Sequence, residues 1–162
     1  MYDILIVGAG PAGLTSAIYA SLGGAKVLVL GTIPGGRLTE IAHISNYPGY
    51  SGTGSELAKL MLDQAKEAGA EVVADEVVDI VREEGKFVVK TAMGDTYEAR
   101  SIIIATGMQV KGLGVKGEEE LFGIKISYCA VCDGPLHKGE HVCVIGDDFK
   151  AASSAIYLAN IA

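Results

Sequence analysis

The sequence predicts an α/β fold with a mostly parallel sheet, and three observations support this prediction. A short apolar run at residues 3–7 is followed at once by a glycine turn, which is typical of a buried parallel strand. Apolar residues then recur at helical spacing. The 22 glycines stand between predicted strands and helices and do not form repeats. With 162 residues, the chain can form one large domain, or one domain and part of another.

The composition argues against several classes of partner and location. Thirteen Lys and Arg oppose twenty Asp and Glu, so the net charge of −7 provides no basic surface for nucleic acid or an anionic membrane. The apolar run after Met1 breaks at Gly8, too soon for a signal peptide or a membrane span, so we expect a cytoplasmic protein. Three cysteines are too few for a disulfide framework.

The first half of the chain predicts a βαβ unit followed by a second helix. The strands are expected at residues 3–7 and 27–30, and the helix between them places Leu14, Ala17, Ile18 and Leu22 on its apolar face. Residues 31–52 show no period and predict a long loop. A possible capping box at residues 53–56 begins the next helix, whose apolar face includes Leu60.

The second half predicts a small antiparallel β-meander and then a change of domain. Strands are expected near residue 72 and at 77–81, 87–91 and 96–99, with a separate buried strand at 101–105. The glycine- and glutamate-rich linker at 111–123 predicts a boundary, giving domains 1–112 and 113–162. A strand at 142–145 and a helix at about 150–160 then begin a second nucleotide-binding unit.

A glycine-rich turn directly follows the first strand and precedes the first helix, as a dinucleotide site requires. Gly8 makes the tight turn, Gly10 lets the backbone approach a pyrophosphate, and Gly13 lets the helix pack on the strand. The turn has the sequence Gly8-Ala9-Gly10-Pro11-Ala12-Gly13. The acidic residue that usually binds the ribose at the end of the second strand is missing, because Leu30-Gly31 stands there.

The second chemical signal is the CxxC sequence from Cys129 to Cys132, followed by Asp133. Two thiols at this spacing can form a disulfide and exchange it, and the adjacent carboxylate can carry a proton. The alternative is half a zinc site completed by His137, His141 or Cys143. Cys143 is expected to be a buried residue in an apolar strand, and the three histidines, which include His43, are expected at the surface.

The ordered motifs resemble the low-molecular-weight thioredoxin reductase family over essentially all 162 residues. Besides the first glycine turn, the resemblance rests on Pro34-Gly35-Gly36-Arg37, Asn46-Tyr47-Pro48-Gly49, Ile104-Ala105-Thr106-Gly107 and Ser127-Tyr128-Cys129-Ala130-Val131-Cys132-Asp133-Gly134. It implies a Rossmann-like, three-layer FAD-binding domain with the small meander, followed by the start of a second Rossmann-like unit. It also implies a flavin-dependent disulfide oxidoreductase.

The resemblance implies a role for each site residue. Cys132 would face the flavin, Cys129 would exchange with the disulfide of a thioredoxin- or glutaredoxin-like protein, and Asp133 would act as acid and base. Family members are usually homodimers. The implied FAD-binding residues are Gly8, Gly10, Pro11, Ala12, Gly13, Gly31, Gly35, Gly36, Arg37, Leu38, Asn46, Thr106 and Gly107.

The sequence departs from the family pattern at three points. The family has a closing segment of the FAD domain after the pyridine-nucleotide domain, so the chain is expected to be truncated, with a non-catalytic FAD-binding module as the alternative. Arg37 stands where Gln is common. Asp148 stands at the second glycine of the NADPH turn that begins at Gly146, so a donor such as a reduced deazaflavin or a ferredoxin is expected instead of NADPH. Asp147 or Asp148 can also simply cap the helix.

Overall fold

The structure of the chain, a computed structural model, describes residues 1–108 and 112–162. The chain divides into two compact units. The first unit contains Met1–Glu40 and Thr53–Met108, and the second contains Ile41–Gly52 together with the described chain from residue 112 to Ala162. The segment between Glu40 and Thr53 therefore leaves the first unit and returns to it. The predicted boundary between residues 112 and 113 stays a prediction.

The secondary structure follows the predicted alternation of strands and helices. In chain order the strands and α-helices are β1 (Tyr2–Val7), α1 (Pro11–Leu22), β2 (Val27–Leu30), β3 (Ile44–Tyr47), β4 (Tyr50–Gly52), α2 (Gly54–Glu67), β5 (Glu71–Val73), β6 (Val77–Glu83), β7 (Lys86–Thr91), β8 (Thr96–Ile104), α3 (Glu118–Leu121), α4 (Ala130–Asp133) and α5 (Phe149–Leu158). Two short 3₁₀ helices cover Gly36–Glu40 and Gly134–His137.

The first unit contains a six-stranded sheet in the order β5-β2-β1-β8-β7-β6. The pairs β5–β2, β2–β1 and β1–β8 are parallel, whereas β8–β7 and β7–β6 are antiparallel. The predicted mixture of a parallel sheet and a meander is confirmed. The prediction of separate strands at 96–99 and 101–105 is wrong, because the chain continues without a turn through Arg100 as one strand, β8.

Strand β8 joins the parallel and antiparallel parts of the sheet. Its first half pairs with β7 and its second half with β1, and Ala99 pairs with both neighbours. Two apolar clusters lie on opposite faces of the parallel strands. One contains Ile6 and Val29 with residues of α1 and α2, and the other packs Leu5 and Leu28 against residues of the meander strands. These clusters account for the predicted three-layer arrangement.

The two long helices of the first unit begin as their sequences predict. The capping box of α2 is confirmed: the Thr53 hydroxyl accepts a hydrogen bond from the Glu56 N–H at 3.2 Å, and the Glu56 carboxylate accepts one from the Thr53 N–H at 2.9 Å. The expected apolar faces are only partly correct. Leu22 and Leu60 are 72% and 57% exposed, because they lie outside the buried cluster that contains residues such as Ile18 and Ala65.

Residues 31–52 and residues 142–145 differ from the sequence-based expectations. Residues 31–52 are not one unstructured loop, because they contain the 3₁₀ helix at 36–40 and the antiparallel pair β3–β4. Residues 142–145 are not a strand, since no neighbouring strand among the described residues pairs with them. Cys143 is therefore exposed and not buried. The expected helix near 150–160 is confirmed as α5.

The linker predicted at 111–123 is structured in its described part, which begins at Gly112. It contains α3, and the Glu118 carboxylate accepts hydrogen bonds from the N–H groups of three consecutive residues at 113–115. Residue 111 lies outside the described residues. Within those residues, no helix has the length and apolar character that a membrane span needs.

Candidate functional site

Two glycines of the first turn are required by close backbone contacts. Gly8 has a φ of +113°, and a side-chain carbon placed on it would lie 2.2 Å from the Ala105 carbonyl oxygen. A carbon placed on Gly13 would lie 1.8 Å from the Gly8 carbonyl oxygen. Neither position can hold a side chain without moving backbone. The roles predicted for Gly8 and Gly13 match this geometry, which brings β1, α1 and β8 together.

Gly10 differs from these glycines because no atom lies within 4 Å of the carbon that a side chain would add. It is the N-cap residue of the 12-residue helix α1, and Pro11 follows at the first helical position. Gly10 therefore leaves an open approach to the helix N-terminus, where N–H groups and the helix dipole favour an anion. The space and its polarity fit the pyrophosphate of a dinucleotide such as FAD.

A second loop lies against this turn. The Gly35 N–H donates a hydrogen bond to the Ala9 carbonyl at 2.7 Å, and a side-chain carbon on Gly36 would lie 3.2 Å from the Gly10 Cα. At the end of β2, a side-chain carbon on Gly31 would lie 2.5 Å from the Ala9 nitrogen. The absence of an acidic residue at position 31 thus has a steric cause, because the first turn occupies the space that its side chain would need.

The remaining predicted FAD-binding residues of the first unit lie in the 3₁₀ helix at 36–40 and directly after β8. Arg37 and Leu38 are in the 3₁₀ helix, where the Arg37 Nε lies 3.5 Å from a Glu40 carboxylate oxygen and both side chains are about half exposed. Thr106 and Gly107 follow β8. Because the Ala105 N–H donates to the Val7 carbonyl at 2.7 Å, this end of β8 lies beside the turn at Gly8.

The second unit contains the other predicted site residues. Asn46 lies on β3 and is exposed. Cys129 and Cys132 are joined as a disulfide, and both are partly exposed. The Cys132 N–H lies 3.3 Å from the Cys129 sulfur and donates a hydrogen bond to it.

Asp133 has a hydrogen-bond partner that the sequence reasoning missed. The Ser127 hydroxyl donates to a carboxylate oxygen of Asp133, and the same hydroxyl oxygen accepts a hydrogen bond from the Cys129 N–H at 3.0 Å. The Asp133 N–H also donates to the Cys129 carbonyl at 3.0 Å. Ser127 belongs to the quoted motif two residues before the CxxC. Its position in that motif was the sequence signal that could have identified it, but no sequence pattern showed that its hydrogen-bond partner is Asp133.

The residues considered for a zinc site are not gathered around the CxxC sequence. His137 lies 2.9 Å from a carboxylate oxygen of Glu140, and this hydrogen bond lowers the pKa of Glu140, with the charge of Lys125 acting in the same direction. His43, His141 and Cys143 are exposed. The described part of the chain contains no group of three or more His, Cys, Asp or Glu residues arranged to hold a metal ion.

The turn before α5 carries a carboxylate of the chain itself at the helix N-terminus. Asp148 is the N-cap residue, and its Oδ1 accepts a hydrogen bond from the Ala151 N–H at 2.9 Å, which confirms that it caps the helix. A side-chain carbon on Gly146 would lie 2.6 Å from the Ala151 Cβ. The turn therefore packs closely on its helix, as a dinucleotide turn does. The Asp148 carboxylate, however, caps the helix N-terminus, where a phosphate would be expected.

The family model described as pyridine nucleotide-disulphide oxidoreductase matches residues 2–162 of this sequence. The chain belongs to this family. Thioredoxin reductase of Listeria monocytogenes is 42% identical over 165 residues, which cover 100% of the chain and 51% of that protein. Thioredoxin reductase of Bacillus subtilis is 40% identical over 164 residues, covering 100% of the chain and 52% of that protein.

Solved structures of thioredoxin reductases have the same fold as this chain. Thioredoxin reductase from Streptococcus pyogenes has a TM-score of 0.90 at 39% identity, with 99% of the chain and 53% of that structure covered. Thioredoxin reductase from T. acidophilum has a TM-score of 0.68 at 43% identity, with 99% and 53% covered. The chain thus spans about half the length of the relatives that it matches, and the resemblance to thioredoxin reductases is confirmed.

Proposed function

We propose that the chain forms the FAD-binding and CxxC-containing part of a flavin-dependent disulfide oxidoreductase. Electrons would pass to the Cys129–Cys132 disulfide and then to a disulfide of a thioredoxin- or glutaredoxin-like protein. The observation that carries this proposal is the partly exposed Cys129–Cys132 pair with Asp133 on the same short helix. It is combined with the open glycine turn at Gly10, which fits a dinucleotide.

Bound FAD, once reduced by the electron donor, would supply the electron pair that reduces the Cys129–Cys132 disulfide. The first turn and its neighbouring loop would hold the pyrophosphate through backbone groups around Gly10 and Gly36. Arg37 adds a positive charge beside the loop that packs on Gly10. Its ion pair with Glu40 is about half exposed to solvent, so the Arg37 guanidinium could exchange Glu40 for a bound anion. The chain's own residues thus provide binding and orientation, while the two sulfurs provide the exchangeable bond.

An anaerobic reductive titration of the FAD-loaded chain with dithionite tests this function. The flavin takes one electron pair and the disulfide takes a second, so the parent should consume about twice the reductant that Cys132→Ser and Cys129→Ser consume. Cys143→Ser is the matched control and should behave like the parent, because Cys143 is outside the disulfide. Equal consumption by the parent and Cys132→Ser would contradict the proposal and favour the alternative, a non-catalytic FAD-binding module.

We infer that the electron donor is not NADPH bound at the turn before α5. The Asp148 carboxylate already accepts the Ala151 N–H that a pyrophosphate would need, and it repels an anion. Two like charges about 4 Å apart cost about 4 kcal/mol at an effective dielectric constant of about 20, which corresponds to about a thousandfold weaker binding. A reduced deazaflavin or a ferredoxin is the donor class that we propose instead.

Substitutions at Asp148 test the donor proposal. Asp148→Gly should strengthen NADPH binding, measured by calorimetry, because it removes both the charge and the hydrogen bond to Ala151. Asp148→Asn is the matched control for the charge, because the amide oxygen can still cap the helix. Rapid reduction of flavin in the unsubstituted protein at micromolar NADPH would contradict the donor proposal and leave the disulfide chemistry untouched.

We also infer a cytoplasmic location and a homodimer. The location is supported by the exposed free thiol of Cys143, since a reducing compartment keeps such a thiol free. The homodimer follows from the resemblance to the thioredoxin reductase family. Sedimentation equilibrium at micromolar protein checks the dimer, and a sedimenting species of monomer mass at all concentrations would count against it.

A further inference from the structure

We propose that Ser127 is a positioning residue that holds Asp133 for proton transfer during dithiol–disulfide exchange. This inference rests on the disulfide exchange proposed above and goes beyond it, because it assigns a function to a side chain outside the CxxC sequence. The exchange needs a group that removes a proton from a thiol and returns it to a leaving sulfur. Asp133 is that group, and Ser127 fixes its carboxylate.

The geometry around the Ser127 hydroxyl links the acid to the nucleophile. The hydroxyl has a single proton, which it donates to the Asp133 carboxylate, and its oxygen accepts the Cys129 N–H at 3.0 Å. One side chain therefore fastens both the carboxylate and the backbone of the first cysteine. A carboxylate held at one oxygen loses rotational freedom, so its second oxygen keeps a constant direction.

The hydrogen bond between Ser127 and Asp133 joins a hydroxyl donor to a carboxylate acceptor. A hydroxyl can donate to a carboxylate, and this hydrogen bond strengthens when the carboxylate is charged. Ser127 is exposed, whereas Asp133 is partly buried. In the described residues the Ser127 hydroxyl is the side-chain donor that contacts the Asp133 carboxylate.

The proton and electron balance of the exchange is complete with these groups. The Asp133 carboxylate removes the Cys129 proton, the Cys129 thiolate attacks one sulfur of the target disulfide, and the released sulfur takes the proton from Asp133. The carboxylate then removes the Cys132 proton, and the Cys132 thiolate attacks Cys129 to re-form the disulfide. The second target sulfur leaves and takes that proton. Two electrons and two protons pass to the target, and Asp133 ends as it began.

The leaving group of the target disulfide separates a proton-transfer role from a structural role. An alkyl thiolate such as that of hydroxyethyl disulfide is basic and benefits from a proton donor as it leaves. The aromatic thiolate released from 5,5′-dithiobis(2-nitrobenzoate) is a weak base and leaves without one. A substitution that only distorts Cys129 should slow both reactions, whereas loss of the positioned acid should slow only the alkyl reaction.

The experiment uses the chain in a Cys143→Ser background, because Cys143 is an exposed third thiol. The protein is reduced with dithiothreitol, desalted without oxygen and mixed with each disulfide, and remaining protein thiols are counted by alkylation and mass spectrometry. Ser127→Ala should slow the alkyl reaction by about tenfold, in line with the loss of one hydrogen bond to a charged group. Ser127→Thr, which keeps the hydroxyl, should restore the rate.

A double substitution tests whether Ser127 acts through Asp133. Asp133→Asn should slow the alkyl reaction by about a hundredfold, the usual scale for general acid–base catalysis. Adding Ser127→Ala to Asp133→Asn should then cause no further loss. Additive losses, or equal slowing of both disulfides by Ser127→Ala, would overturn the positioning role. An unaffected rate in Asp133→Asn alone would instead remove the acid–base role of Asp133 from the proposed function.

Discussion

Replacing Gly10 with alanine isolates the contribution of the open backbone approach to FAD binding. Gly10 has φ and ψ of −77° and −177°, a conformation that alanine adopts without strain, and the added carbon would contact no other atom within 4 Å. We therefore expect the fold to survive. The cost to the free energy of unfolding should be about 1 kcal/mol or less, the scale for alanine at a helix N-cap.

The effect on FAD binding should be much larger than the effect on the fold. The methyl group would occupy the approach to the N-terminus of α1, where the pyrophosphate would accept backbone hydrogen bonds. Hydrogen bonds to a charged group contribute about 1.5–3 kcal/mol each. Losing two of them would raise the dissociation constant by between about a hundredfold and ten-thousandfold.

Flavin fluorescence titrations of Gly10→Ala and the parent measure this difference, and urea unfolding of the same preparations reports the fold. Gly23→Ala is a matched control at the opposite end of α1, with an ordinary φ of −75°, and should leave FAD binding unchanged. Gly13→Ala should lose the fold and FAD binding together, because of the contact with Gly8. A dissociation constant for Gly10→Ala within about twofold of the parent would refute the assigned pyrophosphate position.

Three further predictions concern stability. Thr53→Ala should lower the free energy of unfolding by about 1 kcal/mol in a urea titration, because it removes the hydroxyl that accepts the Glu56 N–H; an unchanged midpoint would contradict the capping role. Burial and the hydrogen bond to Glu71 raise the pKa of Tyr2 to about 12 from an unfolded value of about 10. The neutral phenol therefore stabilises the fold below about pH 10, and this contribution should fall as the pH rises to about 12, with Tyr2→Phe lacking that part of the loss. Cys143→Ser should change the free energy of unfolding by less than about 0.5 kcal/mol, since the side chain is exposed, and a larger loss would indicate burial.

The local sequence was sufficient to predict most elements of the first unit. The glycine turn at Gly8, the helix that follows it and the capping box at Thr53 depend on residues within a few positions of one another. Short-range sterics and hydrogen bonds decide such features, and the sequence displays those directly. The same holds for the CxxC pair, because a spacing of three residues is itself the condition for a nearby pair of sulfurs.

Features that depend on distant partners could not be predicted in this way. Strand β8 is continuous because its two halves pair with β7 and β1, which come from different parts of the chain. Cys143 is exposed because residues 142–145 have no pairing strand among the described residues, although their apolar sequence favours one. In both cases the hydrogen bonds to neighbouring strands decide whether a segment forms a strand. The sequence of one segment does not show which strands lie beside it.

The sequence by itself determined which residues can carry the chemistry: two cysteines, an aspartate and a glycine turn. Only the tertiary structure decided what those residues contact. It showed that Gly31 excludes a side chain because it lies against Ala9, and that the Ser127 hydroxyl connects Asp133 to Cys129. The physical reason is that residue types fix donors, acceptors and charges, whereas distances between them depend on how the backbone folds in three dimensions.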